Sequence, residues 1–236
     1  MTRESLDNKI QTMLDQIIEI ESMVETSTLE ALEALKRQDL EAARRIYRND
    51  AFINEKRFKL ENFLMITIAT EQPLMAGDLR LVASILEVVA ELERMGDYAK
   101  GIANICLMIG REPLIKPLID LPRMAQIAVS MLRRSVDAFI VQDVKQARLI
   151  PLEDDLVDQL YEQIYRELVT IMIGDPSTID QANNLMWAAH NLERMADRVT
   201  NICERTIYVV TGERKEIDVS DDEYRAFKNR QMTGQE

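Results

Sequence analysis

The sequence predicts an all-α protein built as two tandem, sequence-related three-helix bundles with six long helices, and three observations predict it. Apolar residues recur at spacings of three and four in six long stretches, with no convincing run of the strict alternation that marks a strand. Glycine and proline are scarce, seven and six in 236 residues, while the strong helix formers Ala, Leu, Ile, Met, Glu and Arg are abundant. A charged hexapeptide at Leu92–Asp97, LERMGD, returns one hundred residues later at Leu192–Asp197 as LERMAD.

The expected helices run over 3–37, 40–71, 77–109, 120–141, 144–173 and 178–212. Each break carries its own signal. The first two helices part at RQD before Leu40, and EQPLMAGD separates the second from the third around Pro73 and Gly77. The longest break, GREPLIKPLIDLP at 110–122, holds three prolines and a glycine and marks the boundary between halves. VQD precedes Val144, and IGDPST at 173–178 opens the last helix. The expected units are therefore a first three-helix repeat over 1–112, a second over 118–213, and a charged tail over 214–236 that is frayed or forms a short surface helix.

The halves align. DLEAARRIYRND, Asp39 to Asp50, matches DVKQARLIPLED, Asp143 to Asp154, at an offset of 104, and the LERM segments match at 100. The difference falls near the turn between second and third helices, where a length change is cheapest. One departure has a structural consequence: Pro151 stands where the first half has Tyr47, and should kink its helix or delay its start.

Composition excludes several functions. A formal net charge of −12 opposes broad binding to nucleic acid, whose affinity rests on neutralising phosphates, and suits hard cations or a basic protein surface. The opening MTRESLDNKI lacks the apolar core of a signal peptide, and runs such as FLMITIA are too short to span a bilayer, so the cytoplasm is the expected compartment. Cys106 and Cys203 stand alone, with no metal-binding spacing, and read as small buried residues. There is no glycine-rich phosphate loop, no Ser/His/Asp or Cys/His grouping, and no basic pocket for phosphate.

The repeated hexapeptide places Glu93 and Asp97, and again Glu193 and Asp197, one turn apart on a helix. Leu192, Met195, Ala196, Val199, Ile202 and Cys203 form the core-facing stripe, so the acids look outward or along a flank. Asn201 and Glu204 continue their line, and His190 begins it. An isolated ExxxD is most often solvated surface. The preceding helix shifts the weight. If second and third helices run antiparallel about turns near residues 75 and 176, Asp50 and Asn54 come level with Glu93 and Asp97, and Asp154 and Asp158 with Glu193 and Asp197. Facing oxygen ligands from two helices can hold a hard or borderline cation, which removes the mutual repulsion of converging carboxylates. Arg94, Arg194 and Arg198 could do part of that work. One histidine in the chain excludes the four-Glu, two-His di-iron arrangement, and structural Cys/His zinc is excluded too, leaving Mg, Ca, Mn or a surface iron site.

At these residues a resemblance emerges. IYRNDAFINEKRFKLE, QPLMAGDLRLVASILEVVAELERMGDYAKGIANI and NLERMADRVTNICE together resemble the PhoU family, over residues 1 to about 212. The resemblance implies two symmetry-related three-helix bundles whose E(D)xxxD motifs hold multinuclear surface clusters of iron or zinc. It makes Glu93, Asp97, Glu193 and Asp197 the motif acids, matches Asp154 and Asp158 to the acidic motif of the neighbouring helix, and matches Asp50 and Asn54 to it less well. Asn201 satisfies the Asn that follows the motif, whereas Gly101 does not, and Asn191 replaces the acid kept at Glu91. The implied role is negative regulation of phosphate uptake and of the phosphate-starvation response, as an adaptor between the phosphate ABC transporter ATPase and a sensor histidine kinase. Family members are commonly homodimers, cytoplasmic or at most peripherally membrane-associated through partners. The competing readings are a metal-dependent enzyme that uses the same carboxylates to activate water, a metal store, and a regulator of a different transporter.

Overall fold

The computed structural model describes residues 3–217; what the sequence suggests for the rest of the tail lies outside them. The helices are α1 (Arg3–Arg37), α2 (Leu40–Thr70), α3 (Ala76–Ile109), α4 (Asp120–Val141), α5 (Val144–Leu149), α6 (Asp154–Gly174) and α7 (Ile179–Thr211), with 3-10 turns at Ile150–Glu153 and Pro176–Thr178. No strand occurs among the described residues. The fifth expected helix is thus broken in two. Pro151 has no N–H to donate and its ring crowds the preceding turn, so the chain tightens into 3-10 geometry there and a new helix begins at Asp154. Arg134 of α4 braces the break with a two-pronged ion pair to Glu153, at 2.7 and 2.6 Å.

The duplication is written into the backbone. Gln38 and Gln142, 104 residues apart, both adopt left-handed geometry, φ 55° and 56°, at the end of the first helix of their half. The following aspartates accept hydrogen bonds from the first N–H groups of the next helix, Asp39 from Glu41 and Ala42, Asp143 from Gln146. Backbone bonds repeat at the same offset: Asp39 N–H to Ala34 O matches Asp143 N–H to Ala138 O. Gln38 does one thing more. Its side-chain amide donates to the carbonyls of Gly110 and Glu112 and ties down the segment that joins the halves.

One apolar core runs from Leu6 to Ile217 without a break at the midpoint. Within each half the second helix packs on the third; α3 and α7 also pack on each other across the halves, and α1 packs on α4. Met95 and Met195, the methionines of the two LERM copies, are both fully buried beside this seam, as the stripe reading requires. Cys106 and Cys203 are free and buried; the Cys106 thiol lies 3.4 Å from Ala34 O. No described helix is long and apolar enough to cross a membrane.

Candidate metal centre

The two acid clusters sit at equivalent places, against the flank where the second helix of each half meets the third, but their charge balance differs. In the first half, Asp50 of α2 is only 5% exposed, a depth that the sequence does not address. Lys100 of α3 reaches it at 2.7 Å and lies 3.5 Å from Asp97. Asn54 donates its amide to the same Asp50 oxygen at 3.2 Å. Arg57, one turn further along α2, lies 2.9 Å from Glu93 and 2.7 Å from Glu61. These contacts raise both cations' pKa values, Lys100 chiefly through its hydrogen bond to Asp50 and Arg57 chiefly through that to Glu61. The protein's own cations therefore stand where an ion would, and Asn54 presents a donor toward the acid. These residues do not fit a metal.

Gly96 has a local reason. A Cβ there would fall 3.0 Å from Ile53 Cδ1 and 3.8 Å from Asp50 Oδ1, so the alanine that the second copy carries at Ala196 would require the Ile53 tip to give by a few tenths of an ångström.

In the second half, Thr200 replaces Lys100 and Tyr161 replaces Arg57, and the cations are gone. Burial first, then the charges of Asp158, Asp197 and Glu193, push the Asp154 carboxyl up to about 7. Asp158 is raised by burial and then Asp197. Glu193 is raised by burial and then Asp197, against an opposing pull from His190. Asp154 Oδ1 and Glu193 Oε2 are buried without a hydrogen bond, as Asp50 Oδ1 is in the first half, and His190 Nδ1 lies 3.1 Å from Glu193 Oε2. The nearest arginine contact is weak, Arg194 to Asp197 at 3.5 Å. Asn201, half-buried one turn past Asp197, makes no hydrogen bond to the acids. Orphaned buried oxygens with mutual repulsion fit a cation. As they stand, no three Asp, Glu, His or Cys side chains among the described residues are drawn together closely enough to hold one.

Of Arg94, Arg194 and Arg198, which could shield these sites in part, only Arg194 touches its acids. Arg94 pairs with Glu91 of its own helix, and Arg198 leaves its cluster, crossing to α3 to reach Glu91 at 3.4 Å and Tyr98. Lys100 and Arg57 do the shielding instead, and both carried a signal: each lies three residues beyond a named site residue, Asp97 and Asn54, on the same helical face.

The departures at Gly101 and Asn191 prove to be one feature. A Cβ on Gly101 would sit 2.7 Å from Asn191 Nδ2, so the Asn191 amide occupies space over α3 that it would have to vacate for any larger residue.

Comparison with known proteins follows the same outline. A family model described as the PhoU domain matches the chain twice, over residues 7–106 and 121–206. The chain is 33% identical over 221 residues to the phosphate-specific transport system accessory protein PhoU homolog of Clostridium acetobutylicum, covering 94% of this chain and all of that one. It is 34% identical over 205 residues to the accessory protein PhoU of Escherichia coli, covering 87% and 85%. Among solved structures it is similar to PhoU from Pseudomonas aeruginosa, with TM-score 0.82 at 29% identity over 88% of this chain and 99% of that one. It is similar also to the phosphate transport system regulatory protein PhoU from Streptococcus pneumoniae, with TM-score 0.83 at 29% identity, covering 90% and 100%. These relatives are named as accessory or regulatory proteins, not as enzymes.

Proposed function

Because the chain belongs to the PhoU family, we propose that it is an accessory protein of a phosphate-specific transport system that restrains phosphate uptake and the phosphate-starvation response. In this reading it works in the cytoplasm as a homodimer and adapts the transporter ATPase to a sensor histidine kinase. The observation that carries the reading is the double domain match, together with the likeness to the Clostridium acetobutylicum accessory protein over all of its length. The test is a cell deleted for the protein. Phosphate-starvation genes should stay on at high phosphate, and the tagged chain should capture the transporter ATPase and the kinase. Intact repression in the deletion strain, with neither partner captured, would end the proposal.

The metal role is proposed for the second half alone. Asp154, Asp158, Glu193 and Asp197 would hold the ion, with Asn201 at the edge of the set. Iron or zinc is the expected cargo, with Mg or Mn as the hard-cation alternative. A bound cation would supply the positive charge that Lys100 and Arg57 supply in the first half. It would thereby fix α6 against α7. Elemental analysis after loading should find metal in the wild type and in a Glu93→Ala, Asp97→Ala protein, and lose it with Glu193→Ala and Asp197→Ala. Equal metal in wild type and the second-half variant would remove the site.

A further inference from the structure

We propose that the aromatic cleft between α6 and α7 is a docking site for a segment of a partner protein that carries an arginine or lysine beside an apolar side chain. Two clefts of about 270 and 320 Å³ meet at Tyr161. Asn183, Met186, Trp187 and His190 line one, spaced along a single face of α7. Tyr165 lines the other together with the exposed ion pair of Glu162 and Arg166. Trp187 and Tyr165 stay 55% and 46% exposed although both are large rings. The His190 ring stands edge-on to Trp187 at 5.5 Å between centroids, with Tyr161 6.3 Å away, so the walls are mutually packed.

Charge decides the occupant. His190, which lines the cleft, lies 3.1 Å from Glu193 of the carboxylate cluster, and the Glu193 charge is felt at Tyr161. The one cation lining either cleft, Arg166, is already paired with Glu162. Aromatic faces beside a cluster in which carboxylates outnumber cations attract a guanidinium or ammonium group, by cation–π contact and by charge, while the Met186 side accepts an aliphatic neighbour. The first half offers no counterpart. There the equivalent positions of Tyr161 and Tyr165 hold the Arg57–Glu61 ion pair, and Glu87 and Ala90 stand for Trp187 and His190. The proposal is independent of the phosphate assignment, since it concerns the chemistry of the partner segment and not the pathway.

The chain contains a single tryptophan, so emission from Trp187 reports on this cleft directly. The full chain in chelator is titrated with a short synthetic peptide of alternating arginine and leucine, and with the same peptide carrying glutamine for arginine. The arginine peptide should shift Trp187 emission saturably, and about tenfold more weakly for the glutamine peptide and for Tyr165→Ala, the loss of roughly one cation–π contact. Calorimetry with Trp187→Phe keeps the test open if Tyr165→Ala fails to fold; its binding of the arginine peptide should weaken. Four results overturn the proposal: both peptides binding alike, heat of binding with Trp187 unmoved, no binding at all, or an emission shift on simple dilution, which would assign the cleft to a second copy of the chain.

Discussion

Two copies of one acidic ridge, with Glu and Asp a turn apart, face the same kind of neighbouring helix and settle their charge in opposite ways. In the first, Lys100 and Arg57 reach Asp50, Asp97 and Glu93 from within the fold, and Asn54 donates to Asp50. In the second, the positions of those cations hold Thr200 and Tyr161, and the Asp154 carboxyl is driven up to about 7. The backbone is common to both; the counter-charge is not. A ridge closed by its own cations is a structural element, whereas one left open requires a charge from outside, either an ion or a partner's side chain.

The largest expected effect tests the closed side. Lys100→Met should destabilise the protein by about 2–3 kcal/mol in chemical denaturation, because it leaves the Asp50 charge buried beside a single amide donor. Adding Asp50→Asn should restore most of the loss. Arg194→Met, which removes the more exposed pairing in the second half, should cost less than about 1 kcal/mol. Equal costs for Lys100→Met and Arg194→Met would break the comparison.

The next test reads the open side through pH. An Asp154 carboxyl raised from its ordinary 3.8 to about 7 keeps a proton that the unfolded chain has lost between those values. Its contribution to stability is therefore complete below about pH 4 and is lost as pH rises through 7. In chelator, Asp154→Asn should stabilise the protein at pH 8 by about 1–2 kcal/mol and change little at pH 4, solvent at this half-open site screening part of the full effect. Glu21, buried on α1 and pushed to about 7 by burial and by Glu25 and Asp137, tilts both proteins alike, so the difference between them is the measurement. A constant difference from pH 4 to 8 would remove the repulsion from the account.

The smallest effect concerns the paired turns. Gln142→Gly relieves a left-handed side-chain conformation and should stabilise by about 0.5–1 kcal/mol in thermal unfolding. Gln38→Gly relieves the same strain but loses two hydrogen bonds to the linker, and should gain nothing. Equal gains would mean that the linker bonds contribute nothing.

The helices were legible because each is amphipathic over many turns and each break carries proline, glycine or a capping aspartate. Pro151 announced its own interruption. The antiparallel register also followed from turn position, which is why Asp50 falls beside Lys100 and Tyr161 beside His190. Depth was not legible. Asp50 looks like any polar residue on a helix flank, yet α3, with Gly96 and Lys100 against it, leaves it buried. Nor was the destination of long side chains: Arg198 stands within the second cluster in sequence, yet its flexible arm spans to the other half. The acids drew attention as a set of like charges, and their answering cations, spaced three residues on, were equally plain in the sequence.

Asn191 seated over Gly101 bears on the history of the chain. Tandem copies can overwrite one another when genetic exchange pairs them out of register. Here such an overwrite is penalised in both directions. Copying the second repeat onto the first would set an asparagine at 101 against Asn191, with its Cβ already too close. Copying the first onto the second would turn Asn191 into glutamate and Arg198 into tyrosine, leaving Glu91 without its partner across the seam. Either overwrite disturbs a contact between the halves, a displaced amide in one direction and a lost ion pair in the other, so the seam favours two repeats that differ and that keep different answers for their acids.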